Sequence, residues 1–297
     1  MSDKLLVTGA SGHLGQLVIA HLLDTLKLPS DRIIATTRHP EKLTALAARG
    51  VAVRAADFDD AGSLTKAFAG AQRLLLISTD ALDRPGHRIA QHRNAVTAAA
   101  QAGVGHVVYT SMPMPEDSPL LIAPDHLGTE QALAASPLSW TLLRNCWYME
   151  NLFLSLPAAL ASGHWYSAAG DGKVAYISRA DCTRAAAVVL AASDTGRTTY
   201  TLTGNEAFST AAVAQRVSAL TGKPISVVDV PLEGLIEGIV AATGWPRALA
   251  EIFASFDTNT KAGRVAAVTD DFRKLTGTAP QALDNWLAAN RAALAGA

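Results

Sequence analysis

The residues Thr8-Gly9-Ala10-Ser11-Gly12-His13-Leu14-Gly15 follow directly on the apolar run Leu5-Leu6-Val7. They open a segment in which Leu14, Leu17, Val18, Leu22 and Leu23 recur at helical spacing. A strand, a glycine turn and a helix in that order form the setting in which backbone amides cradle a dinucleotide pyrophosphate. Gly9 lets the chain turn tightly, and Gly12 has no Cβ to obstruct the phosphates. Gly15 lets the helix pack close to the strand, and the helix N-terminus offers free N–H groups to an anion. The spacing is G-x-x-G-x-x-G rather than G-x-G-x-x-G. Thr8, Ser11, His13 and Leu14 complete the candidate cofactor loop.

A second group stands at the end of the next apolar run, Ile34-Ala35-Thr36-Thr37-Arg38-His39-Pro40. An NAD site needs an acid there to accept hydrogen bonds from the adenosine ribose, and none is present. Arg38 lies 23 residues past Gly15, where a guanidinium would meet a 2′-phosphate. A hydrogen bond to a charged group is worth about 1.5–3 kcal/mol, enough for a tenfold preference or more. NADPH is therefore expected over NADH, with Thr37 beside Arg38. The structural alternative for Arg38 is a surface arginine that opens the following helix.

The elements that must position these groups alternate. Strands are expected at Leu5–Val7, Arg32–Thr36, Val51–Ala55, Arg73–Ile77 and His106–Tyr109, and helices at 14–26, 40–49, 61–69 and 88–102. This alternation implies an α/β fold with a Rossmann-type, doubly wound parallel sheet whose ligands bind at the carboxyl edge of the strands. A strand Trp140–Leu143 follows, then the aromatic cluster Trp147, Tyr148, Phe153, Trp165 and Tyr166. A helix 181–192, a strand Thr199–Thr203, a helix 211–221 capped by Ser209 or Thr210, and a strand Ile225–Val230 come next. Residues 233–297 read as helices joined by turns at Gly244-Trp245-Pro246 and at 257–264. The organisation expected is a dinucleotide domain over 1–145, completed by 174–204, with 146–173 and 205–297 forming a smaller α/β substrate-binding lid.

The 297 residues are 49% hydrophobic and 17% charged, with 25 basic against 26 acidic side chains and a net charge of −1. That balance fits a soluble globular chain and carries no electrostatic footprint for nucleic acid. Cys146 and Cys182 lack metal-type spacing, so no metal site is expected. No apolar stretch approaches a membrane span, and the N-terminus enters a strand at once. A cytoplasmic protein without membrane contact is expected. A homodimer is the commonest assembly for such chains, though nothing in the sequence marks its interface.

Several segments carry a family resemblance: Thr8–Gly15, Thr36–Pro40, Leu74–Ser78, Gln91–Asn94, Tyr109-Thr110-Ser111, His126–Glu130, Thr141–Asn145 and Ala168–Lys173. Together they resemble the NmrA-like atypical short-chain dehydrogenases/reductases. Within these the chain is most similar to the bacterial NADPH-dependent quinone oxidoreductases, with triphenylmethane reductase a near relative. The resemblance runs from residue 4 to about 230. It implies hydride transfer from NADPH to a quinone or similar electrophilic aromatic acceptor, without flavin or metal. It places Asp57 and Phe58 at the adenine, Ile77 and Ser78 at the nicotinamide ribose, and Thr110 and Ser111 at the cofactor. The loop after Asn145 lies near nicotinamide and substrate, so Asn145 is expected at both, with Tyr148 and Asn151 as further polar groups. Asp57 reads equally as a helix-capping acid, and the aromatic cluster equally as core.

The chain departs from the wider superfamily at its acid. No Tyr-x-x-x-Lys pair is present. The corresponding segment is His126-x-x-x-Glu130, two side chains on one helix face. His126 can be read as a general acid or as a support for the helix and ribose pocket. A quinone needs an enzymic acid less than a ketone does, because the hydroquinone anion is a weak base that water can protonate. Loops 80–88, 112–125 and 147–170 are expected to set the acceptor. Three other readings remain: an NADP(H)-sensing regulator that engages a protein partner without catalysis, an isoflavone- or ether-reductase-like enzyme, and a sugar-nucleotide epimerase. The last two are disfavoured by the missing lysine and the missing Tyr-x-x-x-Lys.

Overall fold

A computed structural model describes residues 3–295. The strands in chain order are β1 (Leu5–Val7), β2 (Ile33–Thr37), β3 (Ala52–Ala55), β4 (Arg73–Leu76), β5 (His106–Ser111) and β6 (Ser139–Asn145). They continue with β7 (His164–Ser167), β8 (Lys173–Val174), β9 (Arg197–Leu202), β10 (Phe208–Ser209) and β11 (Ser226–Asp229). Seven of them form one sheet in the order β3-β2-β1-β4-β5-β6-β9, every pair parallel. The central strands are buried from end to end, as continuous apolar runs covered on both faces must be.

Side-chain alternation sorts the core into two layers. Leu5, Val7, Ile33, Ala35, Leu75 and Val108 join the cluster under helices His13–Ala20 and Arg179–Ala191. Leu6, Ile34, Leu74, Leu76, Val107 and Tyr109 join the other, under helices Ala61–Phe68, His87–Gln101 and Ala123–Ala135. The chain leaves β3 at one edge and re-enters as β4 on the far side of β1. The loops after β1 and β4 therefore diverge and open a crevice at the switch point. β9 extends the sheet beyond β6. β7 pairs with β11, and β8 with β10, in two small sheets outside it.

The expected strands are all present, with ends moved by one or two residues. Ile77 leaves the β4 ladder because its N–H bonds to the Thr8 hydroxyl at 2.9 Å. Gly244 caps its helix in the left-handed conformation (φ +69°). The turn expected over 257–264 is corrected: helix Arg247–Lys261 runs through most of it. The run Asp257-Thr258-Asn259-Thr260 has turn chemistry, but Thr258 and Thr260 hydroxyls donate back to the carbonyls of Ser255 and Phe256 at 2.8 and 2.9 Å. Asp257 and Asn259 find partners across the fold.

Candidate active site

The glycine loop is built by close backbone contacts. Gly9 adopts φ +59°, and its carbonyl accepts from the N–H of Gly12 at 2.9 Å. Gly12 is the extended N-cap of helix His13–Ala20, with no side-chain cap, so the first-turn amides of His13 and Leu14 face outward without an intrahelical acceptor. A Cβ on Gly15 would stand 2.4 Å from the Gly9 carbonyl oxygen and 2.7 Å from Ala10 Cα. Thr8 is fully buried. Its hydroxyl donates to the Leu75 carbonyl at 3.0 Å and accepts from Ile77 N–H. Both directions are used, and Thr8 shapes the crevice floor rather than offering its side chain.

Around the loop, Ser11 and Thr37 hydroxyls meet at 2.8 Å, and Thr37 also accepts from His39 N–H at 3.1 Å. Arg38 is exposed and forms no hydrogen bond or ion pair among the described residues. Asp57 takes an Asx turn, accepting from Asp59 N–H at 3.0 Å. The helix-capping acid is Asp60, which accepts from Gly62 and Ser63 N–H. Phe58 is buried, and its carbonyl is held by Asn94 at 3.0 Å. Ser78 N–H donates to the Thr110 hydroxyl at 2.9 Å, and Ser111 donates to Glu130 at 2.6 Å. Glu130 in turn receives Arg144 through both carboxylate oxygens, at 3.0 and 2.7 Å.

His126 is locked into the interior. Arg88 donates to its Nε2 at 3.0 Å; a guanidinium can only donate, so Nε2 accepts and the proton sits on Nδ1. Nδ1–H then donates to the Tyr109 hydroxyl at 2.9 Å. Neighbouring His92 is fixed in the same way. It accepts from Thr79 N–H at 3.0 Å and donates to Thr129 at 2.8 Å. Burial, aided by Arg88 and His92, holds His126 well below the usual histidine range. It is a neutral imidazole with both nitrogens committed.

Asn145, the last residue of β6, stands where two spaces meet. On one side is a small cleft with Leu14, Val18, Ile77 and Thr110. On the other is a cavity of about 860 Å³ with an aromatic wall. Asn145 Nδ2 donates to the Tyr148 hydroxyl at 3.0 Å, while its Oδ1 is buried without a partner. Tyr148 does not line the cavity; it fixes the Asn145 amide from behind, and the Arg179 guanidinium lies 5.4 Å from its ring centre. Burial pushes the Tyr148 phenol well up, so it stays protonated. Asn151 lines the cavity but spends its carbonyl on Arg179 at 3.1 Å. Trp147 stacks on Phe256 with ring centres 3.7 Å apart.

A profile of the NmrA-like family matches residues 1–287. The chain belongs to that family. It is 39% identical over 271 residues to quinone oxidoreductase 2 of Escherichia coli (strain K12), covering 91% of this chain and 93% of the relative. The crystal structure of an NADPH-dependent quinone oxidoreductase from Escherichia coli complexed with NADPH superposes with a TM-score of 0.90 at 37% identity. It covers 96% of this chain and 98% of that one. The Citrobacter sp. triphenylmethane reductase complexed with NADP(H) superposes at 0.85 and 37% identity, over 94% and 97% of the two chains.

In this member of the family, the cavity's far side comes from residues that no sequence motif marked. Loop 80–88 does not line it; helices Leu232–Thr243 and Arg247–Lys261 do. Met112, Pro113 and Leu120 from loop 112–125, and much of 147–169, line it. Asp257 faces it, accepting from the Ser167 hydroxyl and Ala168 N–H, both at 2.8 Å. Burial raises its carboxyl above the usual range. Tyr176 also lines the cavity, and its hydroxyl has no partner among the described residues. The signal available in sequence was the small-residue spacing of Gly234, Gly238 and Ala242. The clustering of Asp257 with Tyr176 depends on tertiary contacts alone.

Proposed function

We propose that the chain is an NADPH-dependent reductase that transfers hydride to a quinone or similar electrophilic aromatic acceptor. The observation that carries this reading is the position of Asn145, shared by the cleft beside the glycine-loop helix and by the aromatic cavity. The residues fit the cofactor. Gly9, Gly12 and the open amides of His13 and Leu14 suit a pyrophosphate. Arg38, free of protein partners, suits a 2′-phosphate beside Thr37 and Ser11. Asp57 and Phe58 would flank the adenine, and Ile77, Ser78 and Thr110 the nicotinamide ribose. Gly15, Thr8 and Ser111 hold this frame in shape.

NADPH bound there supplies a hydride, and a proton from solvent completes the hydroquinone, so quinone, NADPH and one proton become hydroquinone and NADP⁺. The protein's own contribution is placement. Asn145, its amide steadied by Tyr148, stands at the junction of cleft and cavity, and Trp147 with Phe256 walls the ring from water. Orientation of this kind can supply several kcal/mol, and up to about 7–11 kcal/mol in the best cases. His126 acts as a positioning residue that joins helix Ala123–Ala135 to β5. In this reading, 1–145 with 174–204 form the dinucleotide domain, and 146–173 with 205–297 form the acceptor-binding region. Among the described residues no helix is long and apolar enough to cross a membrane. Cys146 and Cys182 are both buried and unpaired, in keeping with a reducing cytoplasm.

The test is spectrophotometric NADPH consumption by purified protein with benzoquinone, naphthoquinones and a triphenylmethane dye, with NADH in parallel. Acceptor-dependent turnover, faster with NADPH, is expected. Tight NADP(H) binding with no turnover on any acceptor would overturn the reading in favour of a dinucleotide-sensing regulator.

A further inference from the structure

The cavity exceeds what a bare quinone ring requires. At about 860 Å³ it is near the top of the roughly 300–1,000 Å³ range of pockets that hold drug-sized ligands. Nicotinamide and a single ring would occupy only the Asn145 end. One wall is a face of helix Leu232–Thr243, on which Gly234, Gly238 and Ala242 follow at four-residue intervals, flanked by Leu235 and Ile239. Glycine inside a helix is disfavoured relative to alanine and is usually explained by a turn or a close approach. Neither operates at Gly238, which keeps ordinary helical geometry and where an added Cβ would meet no atom within 4 Å. At Gly234 the nearest atom is Pro231 Cδ, at 4.0 Å. The stripe therefore leaves a channel open in the cavity wall.

Two independent observations say what fills it. Asn145, only 9% exposed, lines the inner end of the cavity, and its Oδ1 has no hydrogen-bond partner among the described residues, so that end carries an amide with unspent capacity for a polar group. Leu154 and Tyr166 also line the cavity, yet are 56% and 54% exposed, so large apolar side chains reach its rim, beside the exposed Ser162 and His164. No lysine or arginine lines it among the described residues. A ligand polar at one end and hydrocarbon along its length matches this gradient.

Building on the reductase reading, we infer that the acceptor is a quinone with a long hydrocarbon substituent. Its ring sits at Asn145, and its alkyl or isoprenoid tail lies along Gly234, Gly238 and Ala242 toward the Leu154–Tyr166 rim. Each methylene moved from water onto the stripe tightens binding about fourfold.

The experiment titrates 2-alkyl-1,4-benzoquinones, from methyl to decyl, into the full-length protein without NADPH. Quenching of tryptophan fluorescence reports binding, since Trp147, Trp165 and Trp245 line the cavity. Kd is expected to fall about three- to fourfold per methylene until the stripe is filled, and then to level off. Gly238→Leu, which introduces a good helix former into open space, is expected to bring the plateau to shorter chains. It should also cut the decyl-to-methyl affinity ratio about tenfold or more. Equal affinity at all lengths overturns the inference, as does a length dependence that Gly238→Leu leaves untouched, because that marks unspecific partition. Turnover of the same series with NADPH separates the two readings. Tail-dependent binding without turnover of any quinone removes the reductase reading and keeps the channel; turnover with no length dependence removes the channel alone.

Discussion

Arg38 and His126 show how differently two polar side chains named by one sequence can be used. Arg38 projects from the end of β2 with nothing to hold it, so its charge is available to a ligand phosphate. Arg38→Ala is expected to raise KM for NADPH by about tenfold to a hundredfold, the equivalent of one charge-assisted hydrogen bond. KM for NADH should move by less than about threefold, since that cofactor lacks the phosphate. Steady-state kinetics with both cofactors checks this, and equal losses for the two would refute the phosphate role. His126 has the opposite situation: both ring nitrogens are engaged and the ring does not line the cavity. His126→Gln keeps an acceptor for Arg88 and is expected to lower kcat for quinone by less than about tenfold, below the usual 10²–10⁴-fold contribution of a general acid. Loss of turnover to background with NADPH binding intact would instead assign the proton to His126. The sequence named both residues but could not separate their roles, because a His-x-x-x-Glu pair reads the same on a buried face as on a working one.

At the level of elements, the glycine loop separates fold from ligand. Gly15 is required by the protein itself: a Cβ there would sit 2.4 Å from backbone oxygen and 2.7 Å from a backbone carbon. Helix His13–Ala20 would have to move off the loop, at a cost of about 1–3 kcal/mol for an overpacked site. At Gly12 the tightest contact is 3.3 Å, to the Gly9 carbonyl oxygen, which a shift of a few tenths of an ångström relieves. Gly12→Ala is therefore expected to hold its melting temperature within a few degrees while NADPH binding weakens at least about tenfold, the effect of a methyl placed against the phosphates. Gly15→Ala should lose both. Thermal melts and a binding titration on the two variants decide it, and a Gly12→Ala protein that binds normally would move the phosphates elsewhere. This half of the molecule was legible because each strand–turn–helix unit is local and its period is visible. The aromatic cavity was not. Its walls join Asn145 and Trp147 to Phe256 and Asp257, about a hundred residues away, and polar residues 257–260 look like a turn until their tertiary partners are known.

Across the whole molecule, the buried histidines set the acid limit of the fold. His92, His106 and His126 are all nearly or fully inaccessible, and each is held neutral chiefly by burial. His92 is lowered to about 3, His106 to about 4, and His126 well below its usual value. In the unfolded chain each would titrate near 6.5. As pH falls below that value, the unfolded state takes up protons that the folded state refuses, so stability present above about pH 6.5 is lost toward pH 4. His21 is shifted the same way. His87 runs the other way, raised by Asp83 and Asp59, but both carboxylates are exposed and their contribution is screened. Asp257, raised by burial, opposes the trend only at the acid end of the range, where the folded chain holds a proton that the unfolded chain releases. The three interior rings dominate. His92 and His106 each approach a slope of about 1.4 kcal/mol per pH unit below 6.5, so these two remove on the order of 4 kcal/mol by pH 5, with His126 acting in the same direction, against a usual stability of about 5–15 kcal/mol. Urea midpoints measured from pH 8 to pH 4 are expected to be flat above about pH 7, to fall steeply below 6.5, and to reach unfolding between about pH 4 and 5. A midpoint that stays level down to pH 5 would mean that the rings protonate in place. The tautomers assigned from Arg88 and Thr79 would then be wrong, and His126 would regain its claim to the proton.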